Sequence, residues 1–600
     1  MFFFLEYCLV ALSVLGAFFL RSFPSGWFKA AELHVCRLAR RRALSVLLVG
    51  LLALAVRAAL LPNLPVPQPG FHDDFAYLLA ADTFAHGRLA NPTHPMWIHF
   101  ESIHINQKPT YMPMYYAAPG LVMALGQVVA GNPWIGVWLS AAAMCAAISW
   151  MLQGWLPPGW ALLGGLLAVM RLATYTYWVN SYCGGALAAI GGALVLGALP
   201  RIKRRARLQE ALLLGLGLAL LANTRPYESL FFGIPIGVAA LVWMLGKKRP
   251  SWQQLLPRIV LPLALLLGLT VAGTGYFFWR VTGSPFRVPY QVNLDAYIAV
   301  PYFPWQPLNL KHVYHHAVIE KFYLHEWQMY DYFRDRRRPF EVLAEKVSDF
   351  YRFFLGPVLA LPFVVLLAFS PRQFLRQAIT GKTGFLVAVC GATFLGLALP
   401  IYFLPQYAAP ITGAIYALVL QAMRRLRLWR WRGKPAGLRM VRATPAICVF
   451  LFLLRAVAPQ LHIPTPVEWH HTWDSEHYEN LDRARALAQL KGLAGDQLVF
   501  VRYNQYHNSD NEWVYNRADI DGAKVVWARD MDESQNAELI RYYPHRRVWL
   551  AQPDLAPPRL SPYPVLPDQP APFSPRGSAG TRHEVCQSEP AKPAGNVVRQ

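Results

Sequence analysis

The placement of arginine around the apolar runs constrains this chain more than any other feature. Apolar stretches close to the ~20 residues that cross a bilayer recur through residues 1–458, and the short segments between them are basic. Arg37 with Arg40, Arg41 and Arg42, then Arg201–Arg207, Lys247–Arg249, Arg372–Lys382 and Arg424–Arg442 form five such loops. Cytoplasmic loops of membrane proteins carry the excess of Lys and Arg, so all five are expected inside. They suffice to account for the formal net charge of +23. The basic balance is therefore a topology signal, and it gives no reason to expect a nucleic-acid partner. Composition agrees: 55% hydrophobic and 15% charged over 600 residues is too apolar for an ordinary soluble enzyme. Seven scattered cysteines without a CxxC pair exclude a disulfide framework, a zinc ribbon and a thioredoxin-type site.

Keeping every basic loop on one side predicts a polytopic α-helical membrane protein. Its twelve spans are near 2–20, 43–61, 134–152, 159–173, 184–199, 209–222, 229–245, 256–278, 353–370, 384–400, 408–421 and 443–458. The apolar stretch 113–130 would break the parity, so it is expected to lie at the outer interface, anchored by Tyr115 and Tyr116. The N-terminus lacks a basic n-region and carries Glu6, which reads as a first span rather than a signal peptide. Both termini and the long segments 62–133, 280–352 and 459–600 then share the external face of a plasma (bacterial inner) membrane. Residues 1–458 form the membrane module. Helical and strand patterns across 459–552 predict a small extracytoplasmic α/β domain, and proline-rich residues 553–600 a disordered tail.

Candidate chemistry concentrates in residues 70–113, GFHDDFAYLLAADTFAHGRLANPTHPMWIHFESIHINQKPTYMP. Asp73 and Asp74 follow a span closely, where a carboxylate can accept a proton from an incoming hydroxyl. Neighbouring helical positions point about 100° apart, so one aspartate faces a substrate while the other is free to cap the helix that ends at Gly87. Arg57, Arg171, Arg225 and Arg455 fall near outer ends of spans. Snorkelling to the headgroups is expected of each, with Arg225 set apart by Glu228 three residues on. His312, His315 and His316 could put two imidazoles on one helical face, and His94, His99 and His104 share one loop, but no spacing completes a metal set. Asp530-Met531-Asp532 spells DxD, yet Asp532 with Gln535 reads as a capping box, and Asp519 and Asp521 before Gly522 as a turn.

The order of a span, an acidic pair, FAYLLAADTFAHGRL and QKPTYMP resembles the first external loop of GT-C glycosyltransferases, in the branch of bacterial aminoarabinose transferases and protein O-mannosyltransferases. The acidic pair is Asp73-Asp74 where the family has Asp-Glu, the helix-ending glycine is Gly87, and Lys108-Pro109-Thr110 stands for Lys-Pro-Pro. A long insert, THPMWIHFESIHIN, precedes the lysine, and YFLPQYAAP at 402–410, with Tyr407, is similar to the tyrosine-proline element of a late span. The resemblance implies a polyprenyl-phosphate-linked sugar donor and a lipid, glycan or protein acceptor. It also implies an inverting transfer with Asp73 as general base, and no cofactor, a divalent metal being less favoured. Lys108 by motif, and Arg225 by position, are the cations that would face the departing phosphate. The alternatives are a lipid or polysaccharide transporter, and a polysaccharide ligase or polymerase using the arginine-rich stretch Arg334 and Arg336–Arg338.

Overall fold

The computed structural model describes residues 2–19, 26–247, 249–334, 339–465, 472–475 and 478–564. The arginines of 336–338 and the tail from 565 lie outside them. Nine described helices are long and apolar enough to cross a membrane: Phe2–Phe19, Arg42–Ala59, Trp134–Trp155, Ala186–Arg204, Pro226–Leu245, Trp252–Thr282, Phe340–Phe369, Gly381–Ala398 and Ala436–Val457. Pro158–Leu172, Leu208–Ala222 and Thr412–Leu426 have 15 residues each. At 1.5 Å per residue they rise about 22 Å, short of the ~30 Å hydrocarbon layer. Each expected span thus has a helix, nine of them at full length. The chain is a multi-pass helical membrane protein.

The basic segments gather at one end of the bundle. The Gln153 amide donates to the Arg42 carbonyl at 3.0 Å, Arg201 to the Trp150 carbonyl at 2.8 Å, and Arg427 and Arg442 share Glu32 at 3.2 and 2.9 Å. At the other end, the turns after Ala59, Ala222 and Ala398 are each tied to another segment: Ala118 N–H donates to the Asn223 carbonyl at 3.3 Å, Ile401 N–H to the Tyr302 carbonyl at 3.1 Å and the Asn63 amide to the Ala456 carbonyl at 3.3 Å. Helix Ala117–Ala130, 14 residues closed by Gly131 at φ +69°, lies at this second end. It presses on helix His72–Ala85 so closely that a Cβ on Gly120 would meet the Ala80 Cβ at 2.6 Å.

The arginines near span ends do not snorkel, which corrects the expectation for three of them. Arg57 is fully buried and donates to Asn180 Oδ1 and to the Leu64 and Pro65 carbonyls at 2.8–3.0 Å, with its guanidinium over Trp134. Arg171 pairs with buried Glu6 at 3.3 Å, and Glu6 also accepts from Val358 N–H and the Trp473 indole at 3.1 Å. Arg455 is buried over the Tyr175 ring at 5.0 Å. Each of these charges keeps its place because protein acceptors or ring faces do what headgroups would otherwise do.

The C-terminal region is an α/β unit. Strands β1 (Asn91–Pro92), β2 (Ile105–Asn106) and β3 (Thr110–Pro113) belong to the loop before it, while β4 (Gln497–Val501), β5 (Val525–Arg529), β6 (Arg547–Gln552) and β7 (Arg559–Pro562) form one sheet ordered β5-β4-β6-β7. β4 is parallel to β5 and β6, and β7 returns antiparallel on β6. The sheet therefore runs ten residues past the expected boundary at 552, because the proline-rich stretch begins with a strand that pairs.

Parallel strands are buried on both faces, and the alternation along β4 shows by what. Val499 and Val501 pack with Trp527 and Ala551 against Leu490 of helix Leu481–Gly492. Leu498 and Phe500 pack with Val526, Ala528 and Leu550 against Phe75, Ala76 and Leu79 of helix His72–Ala85 and against Phe100, Ile105 and Tyr111. The loop 62–133 and the C-terminal domain, separate in the sequence reading, thus share one core, in which each fully buried Leu or Phe contributes about 1.5–3 kcal/mol. Polar contacts fix the docking. Arg517 and Ala518 N–H bind Asp82 at 2.8 and 2.9 Å, Ser102 donates to the Val514 carbonyl at 2.5 Å, and Arg529 donates to the Glu101 carbonyl at 2.8 Å.

Candidate active site

Helix His72–Ala85 begins after Phe71 with no side-chain cap, and the positive end of the helix dipole lies at Asp73 and Asp74. The two carboxylates use this start differently. Asp74 is fully buried. It reaches back to Gly70 N–H at 3.1 Å and across to Tyr182 N–H at 2.8 Å. It ties the loop entering the helix to the segment 173–185.

Asp73 keeps 27% of its side chain exposed. Its Oδ1 accepts the Tyr115 hydroxyl at 2.5 Å and His104 Nδ1 at 2.8 Å. Strand pairing delivers both donors. β2 lies antiparallel to β3, with Ile105 opposite Pro113, and Met114 N–H donates to the His104 carbonyl at 3.1 Å, so His104 and Tyr115 emerge side by side. His104 takes φ +62°, a left-handed backbone that costs a non-glycine residue energy and turns its ring toward the helix. Burial pushes the Asp73 carboxyl up, but the hydrogen bond from His104, the charge of that ring when it is protonated and the bond from Tyr115 outweigh it and hold the group at about 2. Burial and the Asp73 charge push the Tyr115 phenol well above its ordinary range, so it remains a donor.

Arg225 belongs to the same neighbourhood. It precedes helix Pro226–Leu245, rests on the Tyr407 ring at 4.2 Å and reaches Glu228 only at 3.8 Å. That loose pair leaves donor capacity for an incoming anion. Tyr77, one turn beyond Asp73, stacks on Tyr115 at 4.6 Å, and the Tyr77 and Tyr407 phenols both lie within electrostatic reach of Asp73 and of Arg225. An anion and a cation thus flank one patch of tyrosines. Asp73, Arg225, Glu228 and Tyr407 are brought together as the sequence suggests.

Lys108 is not. Its ammonium lies over the Trp97 ring at 4.2 Å, in a shallow hollow with Thr93, Arg287 and Asp295, and no contact among the described residues joins it to Asp73 or Arg225. The histidine clusters also resolve. His315 and His316 precede helix Ala317–Arg334 rather than lying on it, and they bind buried Glu101 at 2.9 and 3.3 Å, while His312 meets the Ile298 carbonyl at 3.1 Å. His94 pairs with Asp521 at 3.0 Å beneath Tyr543. No group of three His, Cys, Asp or Glu among the described residues is arranged as a metal-ligand set. Asp532 caps helix Glu533–Tyr542 by accepting Gln535 N–H at 2.8 Å, and Asp519 closes a turn onto Gly522 N–H at 3.0 Å, as expected. Asp530 of the DxD pairs with Arg502. The sequence reading weighed His104 only as a metal ligand and assigned Tyr115 to a membrane anchor. His104 lies in the insert that departs from the family pattern, and Tyr115 two residues past QKPTYMP.

No protein-family model and no curated protein matches the chain. Among solved structures it is similar to ArnT from Cupriavidus metallidurans bound to undecaprenyl phosphate, at 11% identity and a TM-score of 0.44 over 88% of this chain and 93% of that one. The apo form of the same protein gives 12% identity and a TM-score of 0.44 over 84% and 92%. The archaeal oligosaccharyltransferase AglB from Archaeoglobus fulgidus, in complex with an inhibitory peptide and a dolichol-phosphate, gives 11% identity and a TM-score of 0.43 over 88% and 70%. ArnT and AglB are what this chain is similar to in fold, along most of its length.

Proposed function

We propose that this protein transfers a sugar from a polyprenyl-phosphate carrier to an acceptor hydroxyl, inverting the anomeric carbon. The observation that carries the reading is the pairing of a partly exposed, doubly bonded Asp73 with a loosely paired Arg225 around Tyr77 and Tyr407. The Asp73–His104–Tyr115 group acts as the general base, with Asp73 its anion. Arg225 faces the carrier phosphate, whose negative charge grows as the glycosidic bond breaks. The carrier, like the lipid, glycan or protein acceptor, is taken from the resemblance of residues 70–113, and the similar ArnT and AglB structures hold undecaprenyl phosphate and dolichol-phosphate. The site lies at the end of the bundle away from the basic loops, which the positive-inside rule assigns to the extracytoplasmic face. No cofactor enters the reading, so a chelator should leave transfer unchanged. The C-terminal domain completes the site by holding helix His72–Ala85 in place. A transporter would carry ionisable groups free to act near the midplane, whereas Glu6, Arg57 and Arg171 are tied to protein partners.

The test is transfer of labelled hexose or pentose from a polyprenyl phosphate to envelope lipids, glycans or proteins by the whole chain in liposomes. Asp73→Asn is expected to slow transfer by roughly 10²–10⁴-fold, the usual worth of a general base. Transfer at the wild-type rate by that variant overturns the reading.

A further inference from the structure

We infer that the proton leaving the acceptor hydroxyl is taken by Nε2 of His104, with Asp73 and Tyr115 positioning the ring rather than receiving the proton themselves. This deepens the transferase reading and rests on it.

Hydrogen-bond arithmetic fixes the tautomer. An ionised carboxylate only accepts, so the 2.8 Å contact between Asp73 Oδ1 and His104 Nδ1 requires the hydrogen on Nδ1. The Tyr115 hydroxyl, 2.5 Å from the same oxygen, spends its own hydrogen there, and its 3.0 Å approach to Nδ1 is a by-product of the shared acceptor. In the neutral ring the lone pair therefore sits on Nε2. That atom has no partner among the described residues, nor is it among the buried polar atoms left without one, so it is open to a hydroxyl.

The surroundings suit a ring that gains charge. His72 meets His104 edge-on at 5.6 Å, and Phe322 from helix Ala317–Arg334 lies at 5.6 Å. Burial keeps His72 neutral, with its Nδ1 against the Tyr515 hydroxyl at 2.8 Å and Asp510 beyond it at 3.6 Å. Among the described residues Asp73 is the one charged group in direct contact with His104, and it is the counter-ion that an imidazolium needs. Asp73 itself is a poor proton acceptor, because two donors stabilise its ionised form. The strained φ of +62° is spent on holding this ring in place.

In the step, the acceptor O–H bond breaks and its proton joins Nε2. The oxygen bonds to the anomeric carbon, and the bond from that carbon to the carrier breaks with its electron pair leaving on the phosphate. The imidazolium, paired with Asp73, returns its proton to water through Nε2.

Two measurements on the whole chain in nanodiscs decide the matter. Histidine-selective ¹⁵N spectra, with the His104 signal found by difference against His104→Asn, are expected to show the Nδ1–H tautomer in the wild type. They should show a shift toward Nε2–H in Asp73→Asn, whose amide can donate to Nδ1. An Nε2–H tautomer in the wild type overturns the inference. His104→Asn keeps a donor toward Asp73 but has no Nε2 lone pair. With a polyprenyl-phosphate hexose as donor, its kcat is expected to fall roughly 10²–10⁴-fold, and its pH–rate profile to lose the acidic limb of the wild type. A variant within twofold of wild type, or one keeping that limb, overturns the role of His104. Absence of transfer by the wild type from any lipid-phosphate donor instead overturns the transferase reading, which separates the two failures.

Discussion

Asp73 and His104 stand 31 residues apart in the chain and 2.8 Å apart in space, whereas Asp74, the next residue, binds the Gly70 and Tyr182 amides instead. Adjacent positions at a helix start point different ways, and the pairing of β2 with β3 supplies partners to only one of them. The first turn therefore sends one carboxylate to His104 and Tyr115 and the other to the Gly70 and Tyr182 amides.

Asp74 is expected to behave as a structural residue. Asp74→Asn can serve only one of the Gly70 and Tyr182 amides as acceptor and leaves the other buried and unpaired, at a cost of about 1–3 kcal/mol. Thermal unfolding of the whole protein should show a lower Tm for Asp74→Asn than for Asp73→Asn. The reverse order would contradict the separation of roles.

Acid stability should register the Asp73 bonds. Its folded carboxyl is depressed to about 2, against about 3.9 for an unperturbed aspartate, so its stabilising contribution is complete above about 4 and is lost as pH falls toward 2. Unfolding curves between pH 4 and 2 should fall less steeply for Asp73→Asn than for the wild type. Equal slopes would mean that the pair contributes nothing in solution.

Donor binding should depend on Arg225. Loss of charge-assisted hydrogen bonds to a phosphate costs about 1.5–3 kcal/mol, so Arg225→Gln is expected to raise the donor KM by roughly 10–100-fold. Arg225→Lys should recover part of that. Lys108→Gln, at a residue that sits on Trp97, should change the donor KM less than Arg225→Gln does.

The docked domain should loosen when Asp82 is removed. Asp82 accepts from Arg517, Ala518 N–H and Gln127, and Asp82→Ala strips acceptors from the seam. Limited proteolysis between 458 and 480 should accelerate in the variant, and an unchanged cleavage rate would show that the apolar core alone holds the domain.

Glu6→Ala should be among the most damaging single changes in the bundle. It leaves Arg171 buried without its counter-ion, and breaking a buried pair from one side costs about 3–5 kcal/mol. Replacing both partners with apolar residues of similar volume is expected to restore most of the lost Tm.

Much of the fold was legible because a bilayer allows few solutions. Spans must be near 20 residues and apolar, and basic loops must stay together, so Arg424–Arg442 and Arg201–Arg207 fixed the parity that assigned 113–130 a non-crossing role. What stayed hidden depended on contacts across hundreds of residues. The alternation along β4 is the same whatever covers it, so nothing in QLVFV says that Leu498 and Phe500 lie against Phe75. Arg57 and Arg171 resemble snorkelling residues until their partners, Asn180 and Glu6, are placed. Of the site, Asp73, Arg225, Glu228 and Tyr407 were readable from position and motif. His104 was not, since its role depends on a two-residue strand pairing inside an insert.

The core shared by helix His72–Ala85 and the C-terminal sheet also has a consequence in time. His72 bonds Tyr515, 443 residues further on, and His94 meets Tyr543, 449 residues further on. A chain emerging from its N-terminus makes Asp73 early, but the Phe75 and Leu79 face of its helix meets the sheet only once β4, β5 and β6 have been synthesised. Until then the helix bearing Asp73 leans on Ala117–Ala130 without the sheet on its other side. The first site element is thus closed by residues near 500–550, so the site is complete only after the whole membrane module has been made.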